Sequence, residues 1–262
     1  MTPKPTYVSQ RSWTQRQSAK EGGARGRYQE IPEITLASVR ADAFASTLAT
    51  EVVKIISAGK EATVYLALWR EFPLALKVYR FHRTVHSKHG KLGYAQDVVS
   101  YWAAREYWIL DRAFRAGVKV PTPARHSDHM FTARFLGEDR VPAPLLKDSK
   151  VEYPKRTFDC IIEQIFKLYR TYLIHGDLSP FNILMHKEEP WIIDFPQAID
   201  FASRLGRHQT LKSGRSILLR DLRNVVKYFQ HFGITADPET LLEECMSQVG
   251  LHDRFDKRKL RR

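Results

Sequence analysis

Residues 51–81, EVVKIISAGKEATVYLALWREFPLALKVYRF, are three β-rich apolar runs separated by a turn containing Gly59 and a turn containing Pro73. The pattern predicts antiparallel strands over about 50–57, 62–69 and 73–81. A helical period then runs over about 95–116, followed by a β-like pair near 122–136. Two further helices are expected. In one, at about 153–173, Phe158, Ile161, Ile162, Ile165, Leu168, Tyr169 and Tyr172 share a face. In the other, at about 216–232, Leu218, Leu222, Val225, Phe229 and Phe232 recur at alternating steps of four and three. There is no internal repeat. A β-rich first half with one long helix and a helical second half describes an α+β protein of two lobes, with ligand binding expected in a cleft between them.

At 262 residues and 43% hydrophobic content, the chain is long enough for such a core. It shows no apolar run approaching the roughly 18 residues that span a bilayer, and no apolar segment of a secretory leader at its start. A cytoplasmic protein without a membrane partner is expected. Cys160 and Cys245 stand far apart and form no C-x-x-C pair, so neither a disulfide-linked partner nor a thiolate zinc site is expected.

The net charge of +13 is concentrated at the ends. Residues 1–30 carry six Lys or Arg against Glu21 and Glu30. Residues 251–262 carry six against Asp253 and Asp256. These ends suit a polyanion, and serve equally as solvated tails that keep the chain soluble.

The chemistry is concentrated in His175–Phe195, HGDLSPFNILMHKEEPWIIDF. Phosphoryl transfer asks a protein for positioning and charge neutralisation, with hard oxygen ligands for Mg²⁺. An Asp on a turn can orient or deprotonate the attacking oxygen, an amide five residues on can hold Mg²⁺, and a carboxylate ending the next strand can bridge metal and phosphates. Asp177, Asn182 and Asp194 fill these places. The frame H-x-D-L-x-x-x-N is that of the protein-kinase catalytic loop, and IIDF resembles the DFG strand. Asp and Asn also punctuate ordinary turns, so the weight lies on the eight-residue frame joined to an apolar strand ending in Asp.

Such a site predicts a strand lysine and a helix acid. Lys77 is mid-strand in LALKVYRF. Glu106 falls in the stripe Trp102, Glu106, Ile109, Ala113, where a carboxylate needs a cation unless it reaches water at the edge. The phosphate loop SAGKEATVY, Ser57–Tyr65, has a single glycine. It is neither G-x-G-x-x-G nor a Walker A sequence, since Glu61 follows Gly59-Lys60 where Ser or Thr is required. His82, His86 and His89 have no nearby carboxylate or cysteine and read as a solvated loop.

These motifs resemble the RIO family of atypical protein kinases, whose loops read S-T-G-K-E-A-x-V-Y, H-G-D-L-S-x-x-N and I-D-x-x-Q. Here they are SAGKEATVY, HGDLSPFN and IDFPQ, and the likeness runs from about Thr35 to Ile234. It includes WAAREYWIL, ARFLGED and LLRDLRNVVKYF. The resemblance implies a two-lobed protein-kinase-like fold without the activation-loop platform. Residues 1–34 would be a basic segment, 35–136 the N-lobe, 137–250 the C-lobe and 251–262 a basic tail. It implies ATP as cofactor with Mg²⁺, for which Mn²⁺ could substitute. The phosphates would lie over Ser57, Gly59, Lys60 and Glu61, with Lys77 paired to Glu106. Adenine would meet the backbone at Arg134 and Leu136. Asp177 would be the catalytic acid, and Asn182 and Asp194 the metal ligands.

The hinge departs from the family pattern, with Ala133-Arg134-Phe135 where Met-Glu-Phe is usual. IDFPQ resembles the second branch of the family and the nucleotide loop the first. Only about 50 residues precede the first strand, too few for the winged helix of the second branch, so the first is favoured. Ser179 stands where kinases carry a lysine, which predicts weak transfer. Family members resemble ATPases or weak kinases of small ribosomal subunit maturation, and the basic ends fit a pre-ribosomal particle or its RNA. Small-molecule phosphotransferases of the aminoglycoside kinase type share HGDL-x-x-x-N, and an ATP-gated ribonucleoprotein scaffold is the non-catalytic alternative. Asp221 is read as holding the catalytic turn from behind, or else as pairing with Arg220 or Arg223.

Overall fold

A computed structural model describes residues 35–80, 92–202 and 207–256. The basic segment 1–34, the three loop histidines and the last residues of the tail lie outside them. The chain forms two compact units, one through Tyr107 with Pro123–Phe135, the other Trp108–Thr122 with Leu136 onward.

The first unit opens with α1 (Leu36–Ala45), where Thr35 and Ser38 cap each other's backbone N–H. The strands β1 (Glu51–Ala58), β2 (Ala62–Trp69) and β3 (Phe72–Tyr79) follow. Helix α2 (Leu92–Arg115) contributes its residues through Tyr107, and β4 (Pro123–Ser127) and β5 (Met130–Arg134) complete the unit. All strand pairs are antiparallel, in the order β1-β2-β3-β5-β4. Arg70 takes φ +58° in the two-residue turn that sets Trp69 opposite Phe72. The alternation in β3 has its expected result: Leu76 and Val78 enter a core with Val39, Ala43, Leu48, Val52, Tyr65 and Met130.

The second unit has a small hairpin, β6 (Gly137–Glu138) with β7 (Val141–Pro142), then α3 (Pro154–Arg170). Two short antiparallel pairs follow. One joins β8 (Leu173–Ile174) to β11 (Ile199–Asp200), and the other joins β9 (Ile183–His186) to β10 (Glu189–Ile192). Helices α4 (Arg207–Gln230) and α5 (Pro238–Asp256) close the unit. The buried faces of α3 and α4 meet in its core, where Phe158 packs edge-on against Phe229 with centroids 5.4 Å apart, whereas Phe232, expected on the same face, lies beyond α4 and is 39% exposed.

Several expectations need correction. The first half contains α1 as well as α2, and the third strand stops at Tyr79. Trp102 is 38% exposed, so the buried stripe of α2 is Ala103, Glu106, Ile109, Leu110 and Ala113. Tyr172 lies beyond α3, at φ +62°. Helix α4 begins at Arg207 rather than near residue 216, which shortens still further the segment after Asp194.

Candidate active site

Lys77 leaves β3 on the face it shares with Tyr79, and both side chains reach Glu106 of α2. Lys77 Nζ lies 2.7 Å from Glu106 Oε1, and the Tyr79 hydroxyl donates to Oε2. Glu106 is only 3% exposed. A buried carboxylate is tolerated where both oxygens find donors and its charge finds a cation, and these two residues supply both. Tyr79 was not anticipated from the sequence. Its position two residues from Lys77 on one strand was the available signal.

The phosphate-loop candidates Ser57, Gly59, Lys60 and Glu61 are all exposed. The loop is closed by Gly59 N–H donating to the Ala62 carbonyl at 2.9 Å and by Arg80 N–H donating to the Glu61 carbonyl at 2.8 Å. A Cβ on Gly59 would lie 3.4 Å from the nearest atom, Ala62 O, so this backbone does not itself demand glycine. Arg134 ends β5 and pairs across to Leu74. In the second unit, the Leu136 carbonyl already accepts the Ala143 N–H at 2.9 Å.

The candidate catalytic turn follows β8. Gly176 adopts φ +84°, and a Cβ there would fall 2.3 Å from the Gln197 carbonyl oxygen, so only glycine fits. Asp177 is exposed between buried Gly176 and Leu178. The peptide groups on both sides of it are held by one turn of α4. Asp221 accepts the N–H groups of Gly176 at 2.8 Å and Leu178 at 3.0 Å, Arg220 donates to the Gly176 carbonyl, and Asn224 donates to the Leu178 carbonyl at 3.0 Å. Sequence reasoning reached Asp221 but not Arg220 or Asn224, whose spacing in RDLRN is the trace they leave. Burial pushes the Asp221 carboxyl up to about 6, opposed by the two N–H bonds and the Arg220 guanidinium and assisted by the Asp177 charge.

His175 ties the turn to the segment just after β10 that carries the next acid. Its Nε2 meets the Ile193 carbonyl at 3.0 Å, its Nδ1 accepts the Asp177 N–H at 3.3 Å, and its ring packs on Phe195 at 4.8 Å. These partners assign the proton to Nε2. Asn182 is drawn to the same place, with Nδ2 donating to the Asp177 carbonyl at 2.8 Å and lying 3.3 Å from its Oδ2. The Asn182 carbonyl accepts the Ile193 N–H at 3.0 Å. Asp177, Asn182 and the approach to Asp194 are thus one hydrogen-bonded assembly.

Asp194 does not end the strand as expected. Strand β10 stops at Ile192, and Asp194 stands exposed at φ +70°, a left-handed conformation that Asp tolerates better than most residues. Among the described residues, no group of three or more His, Cys, Asp or Glu gathers as a metal site. One amide oxygen and one carboxylate suit Mg²⁺, which keeps several waters and takes its remaining ligands from phosphates.

A family profile described as RIO domain matches residues 63–241. The chain is 32% identical over 207 residues to the RIO-type serine/threonine-protein kinase Rio1 of Haloferax volcanii, covering 74% of this chain and 69% of that protein. It is also 32% identical over 195 residues to serine/threonine-protein kinase RIO1 of Caenorhabditis elegans, covering 68% of this chain but only 37% of the relative. Its fold is similar to that of the Rio2 kinase of Chaetomium thermophilum, solved as an ADP/Mg²⁺-phosphoaspartate complex. The TM-score is 0.63 at 21% identity, covering 91% of this chain and 72% of that one.

Proposed function

Because the chain belongs to the RIO family of serine/threonine-protein kinases, we propose that it transfers the terminal phosphoryl group of ATP, with Mg²⁺, to a serine or threonine hydroxyl or to water. The observation that carries this reading is the grip of α4 on the turn around Asp177. An exposed carboxylate whose neighbouring peptide groups are fixed on both sides is preorganised to take a proton from an attacking oxygen. Lys77, oriented by Glu106, offers a cation to the phosphates. The exposed loop at Gly59 gives its backbone room for close approach by a ligand, since glycine is not required there by the fold.

Asn182 and Asp194 are the residues that would hold the metal. Bound there, Mg²⁺ would neutralise charge on the phosphate oxygens. Ser179 brings no charge to the position where a lysine would help, so transfer is expected to be slow. The basic ends support a ribonucleoprotein partner in maturation of the small ribosomal subunit. No helix among the described residues is long and apolar enough to cross a membrane.

The test is to incubate the protein with γ-labelled ATP, with and without Mg²⁺, and measure phosphate release and label on protein. Mg²⁺-dependent turnover below about 1 s⁻¹, the low edge for kinases, is expected. Binding of ATP without release or transfer would overturn the reading.

A further inference from the structure

Phe181 is a large apolar side chain left 62% exposed in the turn that carries Asp177 and Asn182. Its backbone is fixed from both sides. The Asn182 N–H closes the turn on the Ser179 carbonyl at 2.9 Å, and the Pro180 carbonyl accepts the Lys147 N–H at 3.2 Å. Lys147 belongs to the short 3₁₀ helix Leu146–Asp148, which is anchored in turn: Leu146 is 1% exposed, and its carbonyl receives the Tyr228 hydroxyl at 2.8 Å. The Lys147 ammonium lies over the Phe181 ring, 5.2 Å from its centre. Cation–π attraction thus steadies a ring whose surface is otherwise mostly open.

A single exposed ring elsewhere on a surface would ask for no explanation. This one is set apart by its place. The next residue, Asn182, has its Nδ2 2.8 Å from the Asp177 carbonyl and 3.3 Å from Asp177 Oδ2, so the ring is anchored beside the carboxylate that an acceptor hydroxyl must meet. Water and a small alcohol are too short to touch both. An extended polypeptide advances roughly 3.3 Å per residue, so a chain with its hydroxyl at Asp177 can bring another side chain onto the ring. The segment after Asp194 reaches α4 at Arg207, which leaves little chain for a separate peptide platform, and Phe181 offers a contact within the turn itself.

We propose that Phe181 is the docking point for a serine- or threonine-bearing polypeptide and takes an aliphatic or aromatic side chain of that acceptor; the assignment rests on the phosphotransferase reading above. In the transfer, the acceptor oxygen bonds to the γ-phosphorus and its proton passes to the Asp177 carboxylate. The bond from phosphorus to the bridging oxygen breaks, and that electron pair leaves with ADP. Phe181 takes no part in this step and selects the chain presented to it.

The test uses the full chain, an alanine-rich peptide with one central serine, and versions with leucine placed about two to four residues to either side, the reach set by the rise of an extended chain. At least one leucine position should raise kcat/KM for peptide phosphorylation by about 10-fold, the scale of one apolar contact, chiefly through KM. Phe181→Ala should erase that preference, and Phe181→Leu, which stays apolar, should keep most of it. ATP hydrolysis, transfer to the leucine-free peptide and the melting temperature should stay at wild-type values in both variants. A leucine preference that survives Phe181→Ala, or none at any position, overturns the proposal. So does an equal fall in ATP hydrolysis, which would make the ring a support for Asn182. A wild-type protein that hydrolyses ATP yet labels none of the peptides overturns this assignment alone, whereas one that turns over no ATP overturns the phosphotransferase reading and this assignment with it.

Discussion

Asp221 Oδ2 lies 2.8 Å from the Gly176 nitrogen, across 45 residues of chain, and its other oxygen holds Leu178. Both contacts are buried, so deleting the carboxylate strands two donors. Asp221→Ala should cost about 1 to 3 kcal/mol of stability, and turnover should fall because Asp177 loses its alignment. Thermal melting and ATP turnover on the same preparation check this. Wild-type values of both would contradict it.

The same residue should set a pH dependence. Its carboxyl is raised by burial from 3.8 to about 6, so its contribution is fully present below about pH 4 and is lost as pH rises through about 6. Linkage over that interval amounts to about 3 kcal/mol. The measurement is the unfolding free energy of wild type minus that of Asp221→Asn between pH 4 and 7. The difference should decline across the window and then level off; a rise with pH would mean that the two N–H bonds and Arg220 outweigh burial.

Glu106 takes Lys77 on one oxygen and Tyr79 on the other, with Lys77 itself 13% exposed. Glu106→Ala breaks this buried pair and should cost about 3 to 5 kcal/mol. Glu106→Gln keeps the shape and a neutral hydrogen-bonding group, so it should fold but bind ATP more weakly because Lys77 loses its orienting charge. Equal melting temperatures for the Ala variant and wild type would show the pair to be incidental.

The sequence made legible what depends on local spacing. The frame from His175 to Asn182, Lys77 on its strand, Glu106 on a buried helix face and Asp221 beside Leu222 all follow from periodicity and residue type. Contacts made across long separations escaped it. Arg220 and Asn224 meet the catalytic turn through α4, and nothing local marks the approach of Gln197 to Gly176. The helix expected from about residue 216 begins at Arg207 and runs through Gly214. A Cβ at Gly214 would come within 2.9 Å of Ile174 Cδ1, so the glycine permits close packing against β8. Helix α1 was missed because its first turn carries Ser38 in place of the Glu or Gln that usually marks a capping box. The left-handed backbone of Asp194 is likewise invisible in IID, which reads as uninterrupted strand.

The central claim is that Asp177 takes the proton of the attacking oxygen. The direct measurement is ATP binding and Mg²⁺-dependent turnover of Asp177→Asn beside wild type. The variant keeps the side-chain shape and should bind ATP with wild-type affinity, while turnover falls by about 10²- to 10⁴-fold, the range for a removed acid–base group. Turnover at the wild-type rate with binding intact would contradict the account.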